Sequence, residues 1–236
     1  LSPTRSRERG NPMIVINRRK ERLSPDLVER YRAIEPATLG HILEFGFCDP
    51  ALQPLWRPCQ VVGPAFTVRC TALDSAIVHV AIDMAEPGDV IVIDRNGDEK
   101  HACWGGMTAL AAKVKGLAGA VVDGCATDLT EIQELAFPVY ARRLSVLTTK
   151  GLALEGEINI RIQVGGVPVE PGDLVVADSN GILIVPPEVA EAVVDEAEQR
   201  QKRELWVQEQ LRKGVRLSEL SKAAEKLKVH LPDDRP

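Results

Sequence analysis

The sequence predicts an α/β fold: a core of parallel strands, then short antiparallel strands, then a long C-terminal helix. Three observations predict it. Between residues 61 and 141, apolar strand-like runs alternate with helix-like segments, the pattern of βαβ units. Between 158 and 185 the strand-like runs shorten and tight turns separate them. From Pro187 to about Lys213 a helical pattern dense in Glu, Gln, Arg and Lys takes over. The chain has 236 residues, 44% of them hydrophobic, enough to bury a full core in one domain.

Each element follows from local chemistry. Ser24-Pro25-Asp26 opens a helix over Leu23–Ala33, with proline at the first turn and an acid beside it. Thr38 is placed to cap a second short helix over Leu39–Phe45, and Pro50, Pro54 and Pro58 then impose a loop. Val61–Thr71 is rich in β-formers and reads as a strand. Asp74 caps a helix reaching Met84, with Ala76, Ile77, Val80 and Ala81 on its buried face. Val90–Asp94 is apolar without alternation, so it is a strand buried on both faces, and Asn96-Gly97 turns it. Gly106–Lys115 is a helix that Gly116 ends. Ala118–Val122 is another buried strand ending at Asp123-Gly124, Asp128–Leu135 a helix, and Pro138–Ala141 a strand. Ile158–Val164, Val167–Val169, Leu174–Ala177 and Ile182–Val185 are short strands, and Leu217–Leu227 a short helix after the long one. The long helix packs on a neighbouring subunit or lies solvated on the surface. Residues 87–97 (PGDVIVIDRNG) and 171–181 (PGDLVVADSNG) echo each other at identical spacing, which predicts two β-units placed similarly in one sheet system. Residues 1–12 read as a tag scar or disordered arm, leaving 13–236 as one domain with a helical extension from about 187.

Composition excludes some classes. A net charge of −5 argues against a nucleic-acid face. No apolar run approaches the ~20 residues that cross a bilayer, and the first residues are polar and basic rather than signal-like, so a cytoplasmic protein is expected. Five cysteines, an odd number without a C-x-x-C pair, predict reduced buried thiols rather than disulfides or a zinc knuckle.

The chemistry concentrates in Trp104–Ile132, WGGMTALAAKVKGLAGAVVDGCATDLTEI. The Gly105-Gly106 turn opens a helix whose unpaired N–H groups favour an anion. The strand that follows carries Asp123 and Asp128 toward the C-terminal edge of the sheet, where open α/β sheets bind ligands. A carboxylate facing an anion-binding turn suits Mg²⁺ with a carboxylate substrate. By spacing alone, Asp128 reads as the cap of the helix that follows it. Arg69, Arg95, Lys100 and His101 fall near the strand ends; each reads first as an ordinary surface charge, with His101 the most interesting because it precedes Trp104 by three residues.

The segments GDVIVID, WGG, AAKVKGLAGAVVDGCATDLTEIQELAFPVYAR and GGVPVEPGDLVVADSNGILIVP resemble, in order and spacing, the RraA-like family. That family holds class II 4-hydroxy-4-methyl-2-oxoglutarate and 4-carboxy-4-hydroxy-2-oxoadipate aldolases and the regulator of ribonuclease E activity. The resemblance covers roughly Ile34–Lys213. It implies a swivelling β/β/α core with parallel and antiparallel strands, a trimer or a hexamer, and sites at subunit interfaces. It implies Mg²⁺ or Mn²⁺ held by Asp128 and an oxo-acid carboxylate held by Gly105, Gly106, Met107 and Thr108. Glu204 matches a glutamate that reaches a neighbour's site. Two positions depart from the pattern: Thr127 stands where the aldolases carry arginine, and Gly106 where an acidic residue orients water. The implied activity is a metal-dependent lyase producing pyruvate by retro-aldol cleavage or oxaloacetate decarboxylation. The alternatives are a lyase for another hydroxy-oxo acid and a non-catalytic regulatory protein.

Overall fold

The computed structural model describes residues 13–18 and 23–229; the expected arm at 1–12 lies outside them. In chain order the elements are β1 (Ile14–Ile16), α1 (Pro25–Tyr31), α2 (Pro36–Leu39), β2 (Gln53–Pro54), β3 (Val61–Arg69), α3 (Ala76–Met84), β4 (Val90–Asp94), β5 (Ala102–Trp104), α4 (Gly106–Lys115), β6 (Gly119–Ala126), α5 (Leu129–Glu134) and β7 (Val139–Leu144). There follow β8 (Gly156–Ile158), β9 (Ile162–Val164), β10 (Val167–Val169), β11 (Leu174–Ala177), β12 (Ile182–Val185), α6 (Pro187–Arg212), α7 (Leu217–Leu220) and α8 (Ala223–Leu227).

The main sheet runs β1-β8-β3-β4-β6-β7-β2. Its centre, β3-β4-β6-β7, is parallel throughout, as the alternating pattern requires. β4 is buried along its whole length, and its alternate residues serve opposite faces. Ile91 and Ile93 pack with Ile77, Ala81, Ala109 and Ile132 of α3–α5. Val90 and Val92 pack with Ile162, Val164, Val175 and Ile184 on the other side. A third cluster joins α1, α2 and the first half of α6 to β11 and β12, through Leu27, Tyr31, Leu39, Val176, Val185 and Val194. There the Tyr31 hydroxyl donates to the Ala190 carbonyl at 2.9 Å. Beyond Glu198 the helix is less covered, and Leu205 and Trp206 are exposed.

Several expectations change. The second helix starts at Pro36, whose fixed φ suits a first turn, and ends at Gly40; Thr38 does not cap it but donates to Gln201 and Glu204 of α6. On α3 the buried face is Ile77, Val78, Ala81 and Ile82, with Val80 exposed. Asp74 accepts from the Ala76 N–H as expected, and also from those of Leu152 and Leu154. β6 does not end at Asp123-Gly124. It continues to Ala126, because Gly124 is a close-approach glycine: a Cβ there would lie 2.6 Å from Arg95 Cγ. The run 158–164 splits into β8 and β9 at Asn159, which has φ +53° and donates its side-chain amide to Asn17 O. The helix expected over 217–227 likewise breaks into α7 and α8 at left-handed Lys222. β1, β2 and β5 had no clear sequence signal at three residues or fewer each. The second half is not wholly antiparallel, since β8 pairs parallel with β1.

The internal echo is structural. Asp89 and Asp173 each accept from the backbone N–H three residues before them, at 2.9 and 2.8 Å, and Asp94 and Asp178 each accept from the N–H two residues on, at 2.7 Å. The two strands flank β3, one parallel and one antiparallel. All five cysteines are buried and free, as expected. Among the described residues no helix is long and apolar enough to cross a membrane.

Candidate functional site

Two neighbouring strands bring the site together. β5 pairs parallel with β6, Trp104 opposite Ala126, and the Thr127 N–H donates to Trp104 O at 2.9 Å. The Gly105 turn and the Thr127-Asp128 pair therefore leave the sheet side by side at its C-terminal edge. Trp104 is buried and stacks on Phe137 with centroids 6.3 Å apart.

At the start of α4 the chain allocates its free donors. The Gly105 N–H donates to Thr108 Oγ1 at 2.9 Å, and the Gly106 N–H donates to Asp128 Oδ2 at 3.0 Å. Of the turn expected to hold an anion, this leaves the N–H groups of Met107 and Thr108, in the first turn where a helix supplies no acceptor. Asp128 itself has φ +55° and ψ +46°, a left-handed conformation that asparagine and aspartate tolerate best. In that conformation it makes no cap to α5. Its carboxylate instead caps the neighbouring α4, where the helix dipole favours negative charge. The capping role open at the sequence level is thus present, but on a different helix. The Thr127 hydroxyl lies 3.3 Å from Asp128 Oδ1.

Both glycines are there for space. A Cβ at Gly105 would stand 2.5 Å from Asp128 Oδ2. A Cβ at Gly106 would stand 1.8 Å from Glu131 Oε2. Glu131 thus belongs to this neighbourhood, and sequence reading missed it. The available signal was its place three residues after Asp128, the spacing of a capping box.

Other anticipated residues lie in separate clusters. Asp123 is interior to β6, paired with Arg142 Nε and accepting from the Gly165 N–H at 2.8 Å. His101 Nδ1 meets Asp98 Oδ2 at 2.7 Å in the loop before β5. Arg95 is no surface charge: it is fully buried and donates to Cys70 O at 3.0 Å and Ala72 O at 2.6 Å. Arg69 is half-buried between Asp94 and Glu157. Glu204 is held by Thr38 where α2 meets α6, within a groove also lined by His41, Arg200, Arg203 and Leu217.

Among the described residues no group of three or more His, Cys, Asp or Glu side chains gathers as a metal site. The exposed Asp128 carboxylate still fits a hard cation that keeps most of its shell as water and substrate oxygen. It does not fit structural zinc, which takes four protein ligands.

A mixed α/β sheet with the Asp128 carboxylate set against a glycine turn at its C-terminal edge defines the class. Comparison defines the family: the RraA-like model, Aldolase/RraA, matches residues 37–184, and the chain belongs to that family. A Halalkalibacterium halodurans protein provisionally named a 4-hydroxy-4-methyl-2-oxoglutarate aldolase is 37% identical over 178 residues, 75% of this chain and 84% of its own. Streptomyces coelicolor RraAS2, described as an unusual member of the RNase ES inhibitor RraA family, superposes with a TM-score of 0.71 at 29% identity, over 80% of this chain and 99% of its own. An uncharacterized Pseudomonas syringae protein shares the fold, with a TM-score of 0.75 at 22% identity, over 86% of this chain and all of its own.

Proposed function

We propose that the chain is a divalent-cation-dependent carbon–carbon lyase acting on a 2-oxo acid, with Asp128 holding Mg²⁺ or Mn²⁺. The reading rests on one observation: the Asp128 carboxylate is turned away from its own helix and fixed over the α4 turn by the Gly106 N–H. The names of aldolase relatives support it.

The cation supplies Lewis-acid charge at the substrate's 2-oxo oxygen. The chain's own groups do the rest. The Met107 and Thr108 N–H groups receive the substrate carboxylate, with the positive end of α4 behind them. The Thr127 hydroxyl offers one hydrogen bond where arginine would offer a bidentate fork, so this end of the site suits a less strongly charged group than the aldolase pattern does. We further propose assembly as a trimer or hexamer through the exposed second half of α6, supported by exposed Leu205 and Trp206; Glu204 beside them is held by Thr38 of its own chain.

Calorimetric titration with Mg²⁺ and Mn²⁺ tests the site: binding is expected in the native chain and is lost in Asp128→Ala. Pyruvate release, coupled to lactate dehydrogenase, is measured with 4-hydroxy-4-methyl-2-oxoglutarate and with oxaloacetate, with and without cation. No cation-dependent pyruvate from either sinks the named activities. A second reading, a non-catalytic regulator, draws on Thr127 and on the RNase ES inhibitor description of the Streptomyces relative. It requires that Asp128→Ala leave cation binding unchanged.

A further inference from the structure

We infer that Glu131 is the general base of the retro-aldol step at this site. The inference rests on the lyase reading above and adds to it a residue.

Glu131 occupies the third position of α5, one turn past Asp128. An acid at that position ordinarily reaches back to the start of its own helix. No such bond forms here. The carboxylate points at the α4 turn instead, so that Oε2 fills the space of a side chain on Gly106, 1.8 Å from where its Cβ would be. Gly106 also gives its N–H to Asp128. The two carboxylates thus meet the same glycine from α5, Asp128 along the N–H and Glu131 along the absent side chain. Glu131 is exposed, so a substrate at the turn can reach it. The glycine at 106 does not leave the site without an acid; a neighbouring helix supplies it.

The step balances. The substrate's 4-hydroxyl proton passes to the Glu131 carboxylate, and C4–O becomes a carbonyl as the C3–C4 bond breaks. That bond's electron pair forms C2=C3, and the 2-oxo oxygen takes the charge as the enolate of pyruvate. The proton then returns to C3. Decarboxylation of oxaloacetate reaches the same enolate by losing CO₂ and has no hydroxyl proton to remove, so it does not need Glu131.

The experiment compares Glu131→Gln, Gly106→Ala and the double variant in the full chain. Glu131→Gln is expected to lower kcat for 4-hydroxy-4-methyl-2-oxoglutarate about 10²–10⁴-fold, the usual contribution of a positioned base. Its KM, its calorimetric Mg²⁺ affinity and its oxaloacetate decarboxylation are expected within about threefold of the parent. Gly106→Ala should displace the carboxylate without removing it, visible in a crystal structure, and lower retro-aldol kcat as well. The double variant should lose no more than either single one. Equal loss of both activities, loss of cation binding in Glu131→Gln, or undiminished retro-aldol turnover overturns the assignment. If the parent chain binds no cation through Asp128, the underlying reading fails, and this one with it.

Discussion

Replacing Arg95 with methionine is expected to destabilise the protein even though it removes a buried charge. Swapping a buried ion pair for apolar side chains is often neutral or stabilising, because both charges escape desolvation. Arg95 differs in its partners. Its strongest bonds go to main-chain carbonyls, Cys70 O at 3.0 Å and Ala72 O at 2.6 Å, and it lies 3.4 Å from Asp98 Oδ2. A substitution cannot remove the carbonyls. Each one left buried and unpaired costs about 1–3 kcal/mol. Asp98 loses less, because the N–H groups of Lys100 and His101 and the His101 ring still hold it. Against these losses stands the unpartnered Arg95 Nε, whose removal returns about 1–3 kcal/mol. The net loss is about 2 kcal/mol. With a urea m-value of about 2–3 kcal/mol/M, the midpoint should fall by roughly 1 M at unchanged m. Circular dichroism across a urea series measures it, with Arg95→Lys as the partial replacement. A methionine variant as stable as the parent would show that the carbonyls find other partners, and the argument for Arg95 as the clamp of the 95–101 loop would fall.

Other outcomes follow from the same structure. Tyr31→Phe removes only the bond to Ala190 and should cost about 1 kcal/mol, read as a midpoint shift, with cation binding unchanged. Burial pushes the Asp173 carboxyl up to about 6, above its unfolded value of 3.8. A raised acid favours the folded state while protonated, so its contribution is full below pH 4 and is lost as pH rises through 6; Asp173→Asn should flatten the stability change between pH 4 and 7. Asp98 behaves oppositely: against the opposing effect of its burial, the His101 and Lys100 N–H groups hold it near 2. Its contribution is present above pH 4 and fades as pH falls toward 2, a slope that Asp98→Asn should reduce in acid titrations. Gly105→Ala, whose methyl would meet Asp128 Oδ2, should weaken Mg²⁺ binding in calorimetry more than it changes the unfolding midpoint.

The parallel core was legible in the sequence because its signal is local and repeated. Apolar runs such as Val90–Ile93, glycine at the end of α4 and the Pro-Gly-Asp turns each specify conformation within a few residues. The echoed turns even use the same hydrogen bonds. The short strands β1, β2 and β5 carried too little pattern to be read, although β5 sets the Gly105 turn beside Asp128.

What the sequence determined alone was the family pattern, the order of the core elements and the candidacy of Asp128. What only the tertiary structure decided was direction. Asp128 and Glu131 stand at capping-box spacing, and local rules direct both to their own helix. The backbone of Asp128 turns left-handed, and both carboxylates face the glycines of a helix 22 residues earlier in the chain. Arg95 reads as a surface charge until β6 is seen to carry Gly124 against it. In each case the deciding contact joins groups distant in sequence. A side chain's neighbours across a sheet are set by strand order and register, which no local pattern encodes.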